Sequence, residues 1–456
     1  MESLPTLELA LQRLRTGFSD LPGIDAAFRL AATGTDDQRL TDVLLEVADR
    51  LHDNYPYFHP LYAGQMLKPP HPIARLAYEL ALRINPNNHA LDGGRASSAM
   101  EKEAVAELAK MIGWDTHLGH LCGGGTMANL EALWIASQLH PGKSVVASTQ
   151  AHYTHQRIAG VLGIPFETIP CDQRGRMDMP ALERRLAAGG VGTVVATMGT
   201  TATGAVDPLA AIVDLRRRFD FRVHADAAYG GYFLLAGNLA DNTKLAFELI
   251  REAASVVIDP HKHGLQPYGC GCVLFRDPSV GRLYRHDSPY TYYTSTELHL
   301  GEIALECSRP GAAAVALWAT QRLFPLVRGG EFAKGLQDGR AAALDLHERL
   351  RRDRRFVTGA APELDILVWA ARAPSVTEAS NLSQRIFAEA AGRHLHLALV
   401  SLPLHLLEVG PMQRDRETII CLRSVLMKPE HRAWADRIWQ ILDEATTAAG
   451  VEEGTR

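Results

Sequence analysis

Two β-type runs in this chain end in residues that can do chemistry together. They are Val223-His224-Ala225-Asp226 and Val256-Val257-Ile258-Asp259-Pro260-His261-Lys262. A carboxylate and an amine so placed suit a pyridine aldehyde: the amine condenses with the aldehyde and the carboxylate holds a proton on the ring nitrogen. Most aspartates and lysines are solvated surface groups, so neither residue says much alone. Asp226, however, is flanked by alanines and is expected to be partly buried, and a buried carboxylate is costly unless paired. A pyridinium N–H pairs it, and Ala228 is small enough to lie against the face of such a ring. Lys262 emerges beside His261 and His263, ahead of the glycine-rich Gly264–Gly271 stretch, where burial and nearby cations favour the free amine. The cofactor that fits this pair is pyridoxal 5′-phosphate (PLP).

A phosphate needs its own cradle. Gly123-Gly124-Gly125-Thr126 precedes a helical stretch, so bare backbone N–H groups, the helix dipole and the Thr126 hydroxyl converge there. A dinucleotide fingerprint is a competing reading, but it asks for an acidic residue about 20 positions on, where Ser148 and Thr149 stand. A purely structural glycine turn is the other alternative. His152, in Ala151-His152-Tyr153, is placed to lie flat on a cofactor ring and touch a substrate carboxylate, or else is an ordinary loop histidine. Thr200 and Thr201 offer hydroxyls to the ring oxygen or to Asp226, with turn formation an equal contender.

The elements that must position these groups alternate. Helical patterns at 99–112, 126–139, 152–162, 179–188 and 208–219 interleave with β-rich runs at 144–147, 166–169, 193–197, 222–225, 255–258 and 272–275. Such alternation predicts an α/β fold with a mainly parallel central sheet covered by helices, whose ligands sit at the carboxyl ends of the strands. Asp178 and Asp207, each just ahead of a proline, read as helix N-caps. A helix over 311–324 follows a long loop. Beyond about 326, long helices with strands at 366–371, 397–402 and 418–422 suit a smaller α+β domain. The expected division is a helical and extended segment over 1–70 packing on a partner subunit, a large domain over 71–325 and a small one over 326–456.

Length and composition agree with a multidomain globular enzyme: 456 residues, 46% hydrophobic, 22% charged, with a net charge of −5. That balance offers no electrostatic footprint for nucleic acid or an anionic membrane. No signal peptide and no long uninterrupted apolar run is found, and the scattered cysteines form neither a disulfide framework nor a metal knuckle. A cytoplasmic protein without a bound metal is expected.

The motifs together resemble the group II PLP-dependent amino acid decarboxylases, of the aspartate aminotransferase (fold type I) superfamily. The matching segments, in the family's order, are His59-Pro60-Leu61-Tyr62, Gly123 to Asn129, Ala151-His152-Tyr153, Gly199-Thr200-Thr201 with Gly204 to Pro208, His224 to Gly231, Asp259-Pro260-His261-Lys262 and Ser308-Arg309. The resemblance implies that Lys262 carries the cofactor and His152 stacks on it. It also implies phosphate contacts from Gly125, Thr126 and His261, places Thr201 and His224 near the ring, and implies an obligate homodimer with its active sites at the interface. The substrate is an amino acid, with Tyr62 and Arg309 expected to face it. In the family a tyrosine from the loop between the lysine and Ser-Arg returns a proton to the substrate carbon; Tyr290, Tyr292 and Tyr293 are the candidates here, Tyr290 and Tyr292 preferred.

Two departures bear on the reaction. The residue after Lys262 is His263, not the tryptophan of the animal aromatic decarboxylases, so the chain is more similar to bacterial and archaeal tyrosine or aspartate decarboxylases. Ser308-Arg309-Pro310-Gly311 is also similar to a sister branch of carbon–carbon lyases. The expected activity is removal of the α-carboxylate of an L-amino acid. Carbon–carbon cleavage or aldehyde-forming deamination is the alternative. An acidic substrate would ask for a cation such as Arg95, an aromatic one for apolar walls such as Tyr62, Met66 and Leu67.

Overall fold

The computed structural model describes residues 4–21, 37–285 and 298–451. Tyr290, Tyr292 and Tyr293 lie outside the described residues.

Among the described residues, eleven strands form two sheets. The large sheet holds β1 (Leu118–Cys122), β2 (Ser144–Ser148), β3 (Phe166–Ile169), β4 (Val191–Thr197), β5 (Arg222–Asp226), β6 (Ser255–Ile258) and β7 (Gly271–Phe275), in the order β1-β7-β6-β5-β4-β2-β3. The neighbours from β3 through β6 pair in parallel, and β7 runs antiparallel to both β6 and β1. All strands but β7 therefore point the same way, and their carboxyl ends open along one edge. Every residue of β2, β4 and β6 is buried, as expected of parallel strands covered on both faces, and this is why they read as continuous apolar runs.

The small sheet is antiparallel throughout, in the order β10 (Ala398–Pro403), β11 (Thr418–Val425), β9 (Ile366–Ala371), β8 (Phe356–Thr358). Helices Glu331–Arg352, Val376–Gly392 and His431–Ala448 pack around it, with Trp369 fully buried in their shared core. The architecture is the expected α/β large domain with an α+β companion.

Local chemistry explains several boundaries. Asp178 caps the helix Met179–Ala187 by accepting from the Ala181 N–H at 2.6 Å. Asp207 does something else. The helix Leu209–Leu215 has Pro208 at its cap position and no side-chain cap bond. The Asp207 carboxylate instead accepts from the N–H groups of Met177 and Thr197, at 2.7 and 2.8 Å. It is wholly buried, and burial pushes its pKa up to about 7 against those two bonds. It thereby staples the carboxyl end of β4, where the site begins. The helix expected from residue 99 starts at Leu91, with non-helical backbone at Gly94 inside it; Gly93-Gly94 hid that first turn.

Part of the N-terminal segment is held by the small domain of the same chain. The Ala63 N–H donates to the His396 carbonyl at 2.9 Å, and the Val425 N–H donates to the Ala63 carbonyl at 2.7 Å. By contrast, the helix Asp37–Leu51 buries nothing, and Leu40, Val43, Leu44, Leu45, Val47 and Leu51 are all exposed on it. No helix among the described residues is long and apolar enough to cross a membrane.

Candidate active site

The carboxyl edge of the large sheet holds a cavity of about 480 Å³, within the usual range for small-molecule sites. Each strand end contributes. Gly123 to Thr126 follow β1, His152 follows β2, Thr197 ends β4 with Gly199 and Thr201 beyond it, Asp226 ends β5, and Asp259, His261 and Lys262 follow β6. The sequence thus spreads these groups along the chain, and the parallel topology gathers them.

At one end stands Asp226, nearly fully buried. Its Oδ2 accepts from His155 Nε2 at 2.8 Å, and its Oδ1 accepts from the Ala228 N–H at 3.2 Å. Burial raises the Asp226 carboxyl, but the hydrogen bond and charge of His155, with Lys262 behind, outweigh it and hold the group well below the usual carboxylate range. An ionised carboxylate at a cavity wall is what keeps a proton on a pyridine nitrogen. His155 was not anticipated. It sits one helical turn after His152, and only its inward direction, with no side-chain exposure, marks it.

The glycine turn forms another part of the wall. The helix Gly125–Leu139 starts there with Gly124 at its cap and no side-chain cap bond, so its first N–H groups remain available. The Gly123 N–H already holds a carboxylate oxygen, Glu306 Oε2, at 3.0 Å. Gly124 has φ +141, and a Cβ on Gly271 would lie 2.5 Å from the Gly124 Cα, so β7 can pass behind the turn only as glycine. A Cβ on Gly125 would lie 2.6 Å from Asp259 Oδ2. Gly125→Ala is therefore expected to weaken PLP binding by roughly tenfold or more, since overpacking of this kind costs about 1–3 kcal/mol. Fluorescence titration with PLP measures it, and unchanged affinity would remove the turn from the site.

Lys262 lines the same cavity. Its Nζ is 3.0 Å from Asp259 Oδ2, so the nearest charge is a carboxylate rather than the cations expected from sequence. Asp259, the first residue after β6, holds the amine in place. His152 lines the cavity half-buried, its ring stacked on Tyr153 at 4.4 Å, and burial lowers its pKa. The His261 Nδ1 donates to the Cys270 carbonyl at 2.9 Å, which turns its Nε2 toward Asp259 at 3.6 Å. Thr201 lines the wall, whereas the Thr200 hydroxyl is spent within its turn on Thr203 and the Ala205 N–H.

Three residues expected at the site stand away from the cavity wall. His224 is buried behind it, its Nε2 donating to Asn129 Oδ1 and its Nδ1 accepting from the Ser255 hydroxyl, both at 2.8 Å. It reaches the cavity only through Asn129, which does line it. Tyr62 is buried against the small domain with the Lys428 amine 5.2 Å from its ring centre. Arg309 is buried in an ion pair with Glu101 at 3.0 Å and donates to the carbonyls of Leu121 and Asn88. That arrangement anchors the end of β1, with Nε of the guanidinium left without a hydrogen-bond partner. Arg95, Met66 and Leu67 do not line the cavity either.

Burial lowers the His224 pKa to about 3. Folded His224 is therefore neutral while unfolded His224 takes a proton below about 6.5, so its contribution to stability falls as pH drops from there toward 3. Relative to His224→Gln, the native chain is expected to lose on the order of 1–2 kcal/mol between pH 7 and pH 5. Urea titrations of both forms at the two pH values check this; parallel pH dependence would contradict it.

The cavity fits PLP on its own terms. It has an N–H-rich glycine turn for a phosphate, an ionised aspartate for the ring nitrogen, a small Ala228 wall for the ring and a lysine for the aldehyde. Thr197 Oγ1 and Asp259 Oδ1 are buried at its wall with no partner in the chain. Fold and site together define a fold type I PLP enzyme. The model of the pyridoxal-dependent decarboxylase conserved domain matches residues 133–370, a stretch holding His152, Thr201, Asp226 and Lys262. An L-tyrosine decarboxylase of Enterococcus faecium is 30% identical over 412 residues, covering 68% of this chain and 67% of the relative. A probable L-aspartate decarboxylase of Halobacterium salinarum is 34% identical over 259 residues, covering 56% of this chain and 70% of the relative. Among solved structures, Oryza sativa TDC with PLP and tryptamine superimposes with a TM-score of 0.77 at 18% identity, over 98% of this chain and 99% of that one. Mouse CSAD in apo form gives 0.77 at 22%, over 92% and 90%. The chain belongs to the pyridoxal-dependent decarboxylase family, and its activity is PLP-dependent amino acid decarboxylation.

Proposed function

We propose that the substrate is an L-amino acid with an aromatic side chain, L-tyrosine foremost, which loses its α-carboxylate to give the amine and CO2. The observation that carries this reading is the cavity wall. Among the described residues no arginine lines it, while Met127, Leu130, Ala228 and Tyr229 supply apolar surface. Relatives named L-tyrosine decarboxylase support the same reading. Relatives named probable L-aspartate decarboxylase favour a second one, an acidic substrate.

When bound, PLP supplies the electron sink for the pair left as Cα–COO⁻ breaks. The roles assigned to the chain's own groups follow from their positions. The glycine turn and Thr126 hold the phosphate, with His261 beside them. Lys262 would hold the aldehyde end of the cofactor, and Asp259 keeps its amine at the cavity. Asp226 would hold the proton at the ring nitrogen, His155 keeps that carboxylate fixed and ionised, and Ala228 and His152 would provide the surfaces beside the ring. Thr201 would offer its hydroxyl to the cofactor, and His224 orients Asn129. Return of a proton to the substrate carbon is assigned to Tyr290 or Tyr292. Carbon–carbon cleavage and aldehyde formation are the outcomes this assignment opposes.

The chain is proposed to work as a homodimer in the cytoplasm. Six unpaired cysteines support the reducing setting. The uncovered apolar face of Asp37–Leu51 supports the partner, because exposed patches of this kind mark interaction surfaces. Light scattering on the purified protein should give twice the chain mass.

Comparing kcat/KM for L-tyrosine, L-phenylalanine, L-tryptophan, L-aspartate and L-glutamate tests the substrate class. An aromatic acid should lead the acidic ones by roughly 100-fold or more, the discrimination of a site without a paired cation. Preference for aspartate or glutamate would replace this reading with the second.

A further inference from the structure

A second cavity, of about 520 Å³, lies behind the catalytic lysine, where Lys68 to Pro72, the large domain and the small domain meet. It shares no lining residue with the first. We propose that it is a second ligand site, taking a small organic monocarboxylate with an apolar body, and that its occupancy is felt at Lys262.

The anion-binding end is built from Lys68, Lys428 and His263. The Lys428 amine donates to the Tyr62 carbonyl at 2.6 Å, and that of Lys68 makes only a long bond, 3.4 Å, to the Met427 carbonyl. Burial brings both amines down to about 8, and Lys68 adds to the effect on Lys428. A carboxylate between them would compensate what burial costs.

His263 is the more telling residue. It is 2% exposed, and neither of its ring nitrogens has a hydrogen-bond partner. Its Nε2 lies 3.4 Å from Asp365 Oδ2, which likewise has no hydrogen bond. Tyr229 and Phe233 fix the ring edge-on, at 4.8 and 5.0 Å. A buried imidazole with Nδ1 unpaired and Nε2 facing only a carboxylate oxygen outside hydrogen-bond geometry, at a cavity wall, calls for a partner from outside the chain.

The remaining wall selects the ligand. Phe324, Phe332, Leu265 and Met427 ask for an apolar body. Leu265 takes this position with φ +65, the left-handed backbone that leucine rarely adopts. Glu331 and Glu430 line the same cavity, and Asp338 is already spent on Lys334 at 2.7 Å. Glu331 and Glu430 offset the charges of Lys68 and Lys428, so a single carboxylate would be held by the directed N–H groups of Lys68, Lys428 and His263 and not by surplus charge, and a dianion such as phosphate is disfavoured.

Two connections lead to the active site. The peptide bond joins His263 to Lys262, and the Tyr229 hydroxyl donates to Asp365 Oδ1 while Tyr229 itself lines the PLP cavity.

The test is calorimetric titration of the PLP-loaded enzyme with phenylacetate, 2-phenylethanol and inorganic phosphate, using the native chain, Lys68→Met, Lys68→Arg, His263→Phe and Phe332→Trp. Phenylacetate should bind and shift the visible cofactor band. Lys68→Met, His263→Phe and Phe332→Trp should each weaken it by about tenfold or more, and Lys68→Arg, which keeps the charge, should not. Lys68→Met should leave kcat/KM without phenylacetate within about twofold of native. Because three separate variants report on the site, one that fails to fold leaves the other two decisive. No binding, equal affinity in all forms, 2-phenylethanol binding as tightly as phenylacetate, or tighter binding of phosphate would each overturn the proposal. The substrate panel described above can fail without touching these outcomes.

Discussion

Lys262→Ala is expected to abolish the visible absorption band of the PLP-loaded enzyme and to lower kcat/KM by roughly a thousandfold or more. Two losses combine. The amine is the only one lining the cavity among the described residues, so covalent attachment of the aldehyde is lost. The proton transfers that accompany attachment and release go with it, and a positioned proton-transfer group alone contributes about 10²–10⁴-fold. Phosphate contacts do not depend on Lys262, so PLP should still bind, more weakly and without the band. Asp259, 3% exposed on its side chain and 3.0 Å from the amine, loses its cation in this variant. A melting curve should accompany the assay, since an unpaired buried carboxylate is destabilising. A small primary amine added to the variant should restore part of the activity. A retained band with near-native turnover would remove Lys262 from its assigned role.

Asp226→Ala has the second largest expected effect, again roughly a thousandfold or more in kcat/KM, with PLP still bound. The carboxylate makes two contacts, to His155 and to the Ala228 N–H, and neither is to the glycine turn. Its loss therefore removes the charge that keeps the ring nitrogen protonated and leaves the phosphate end intact. Truncation also leaves His155 buried without a partner, which costs about 3–5 kcal/mol when such a pair is broken from one side. Asp226→Asn separates the two effects, because it keeps the volume and removes the charge. It should be nearly as inactive as the alanine variant while melting closer to the native chain. His155→Phe, which leaves the carboxylate but takes away its strongest support, should fall between, at about 10–100-fold. Near-native turnover in Asp226→Asn would contradict the role given to the charge.

The parts of this site legible in the sequence were those set by backbone and order. Glycines at 123–125 announce a turn that side chains would block, and Asp226 and Lys262 follow apolar runs that only a buried parallel strand explains. Residues at strand ends could therefore be assigned to one edge before any geometry was known. Side-chain direction was not legible. Arg309 sits where a substrate-binding cation was expected, yet its guanidinium is turned to Glu101 and the Leu121 carbonyl. His155 looked like any helical polar residue, although its inward face makes it the partner of Asp226. Strand β1 was missed for a related reason. Leu118-Gly119-His120-Leu121-Cys122 carries a glycine and a histidine, and its strand character comes from pairing with β7, far along the chain. Asp207 had the right residue for a helix cap, but the buried N–H groups of Met177 and Thr197 claimed its carboxylate.

The central claim is that this cavity breaks the Cα–carboxylate bond and returns a proton to carbon. The most direct measurement is the product balance for the best substrate of the panel, with CO2, amine and aldehyde quantified from the same reaction. One amine for each CO2, with no aldehyde, is the predicted result. Aldehyde in place of amine, or a product that keeps the carboxylate, would contradict it.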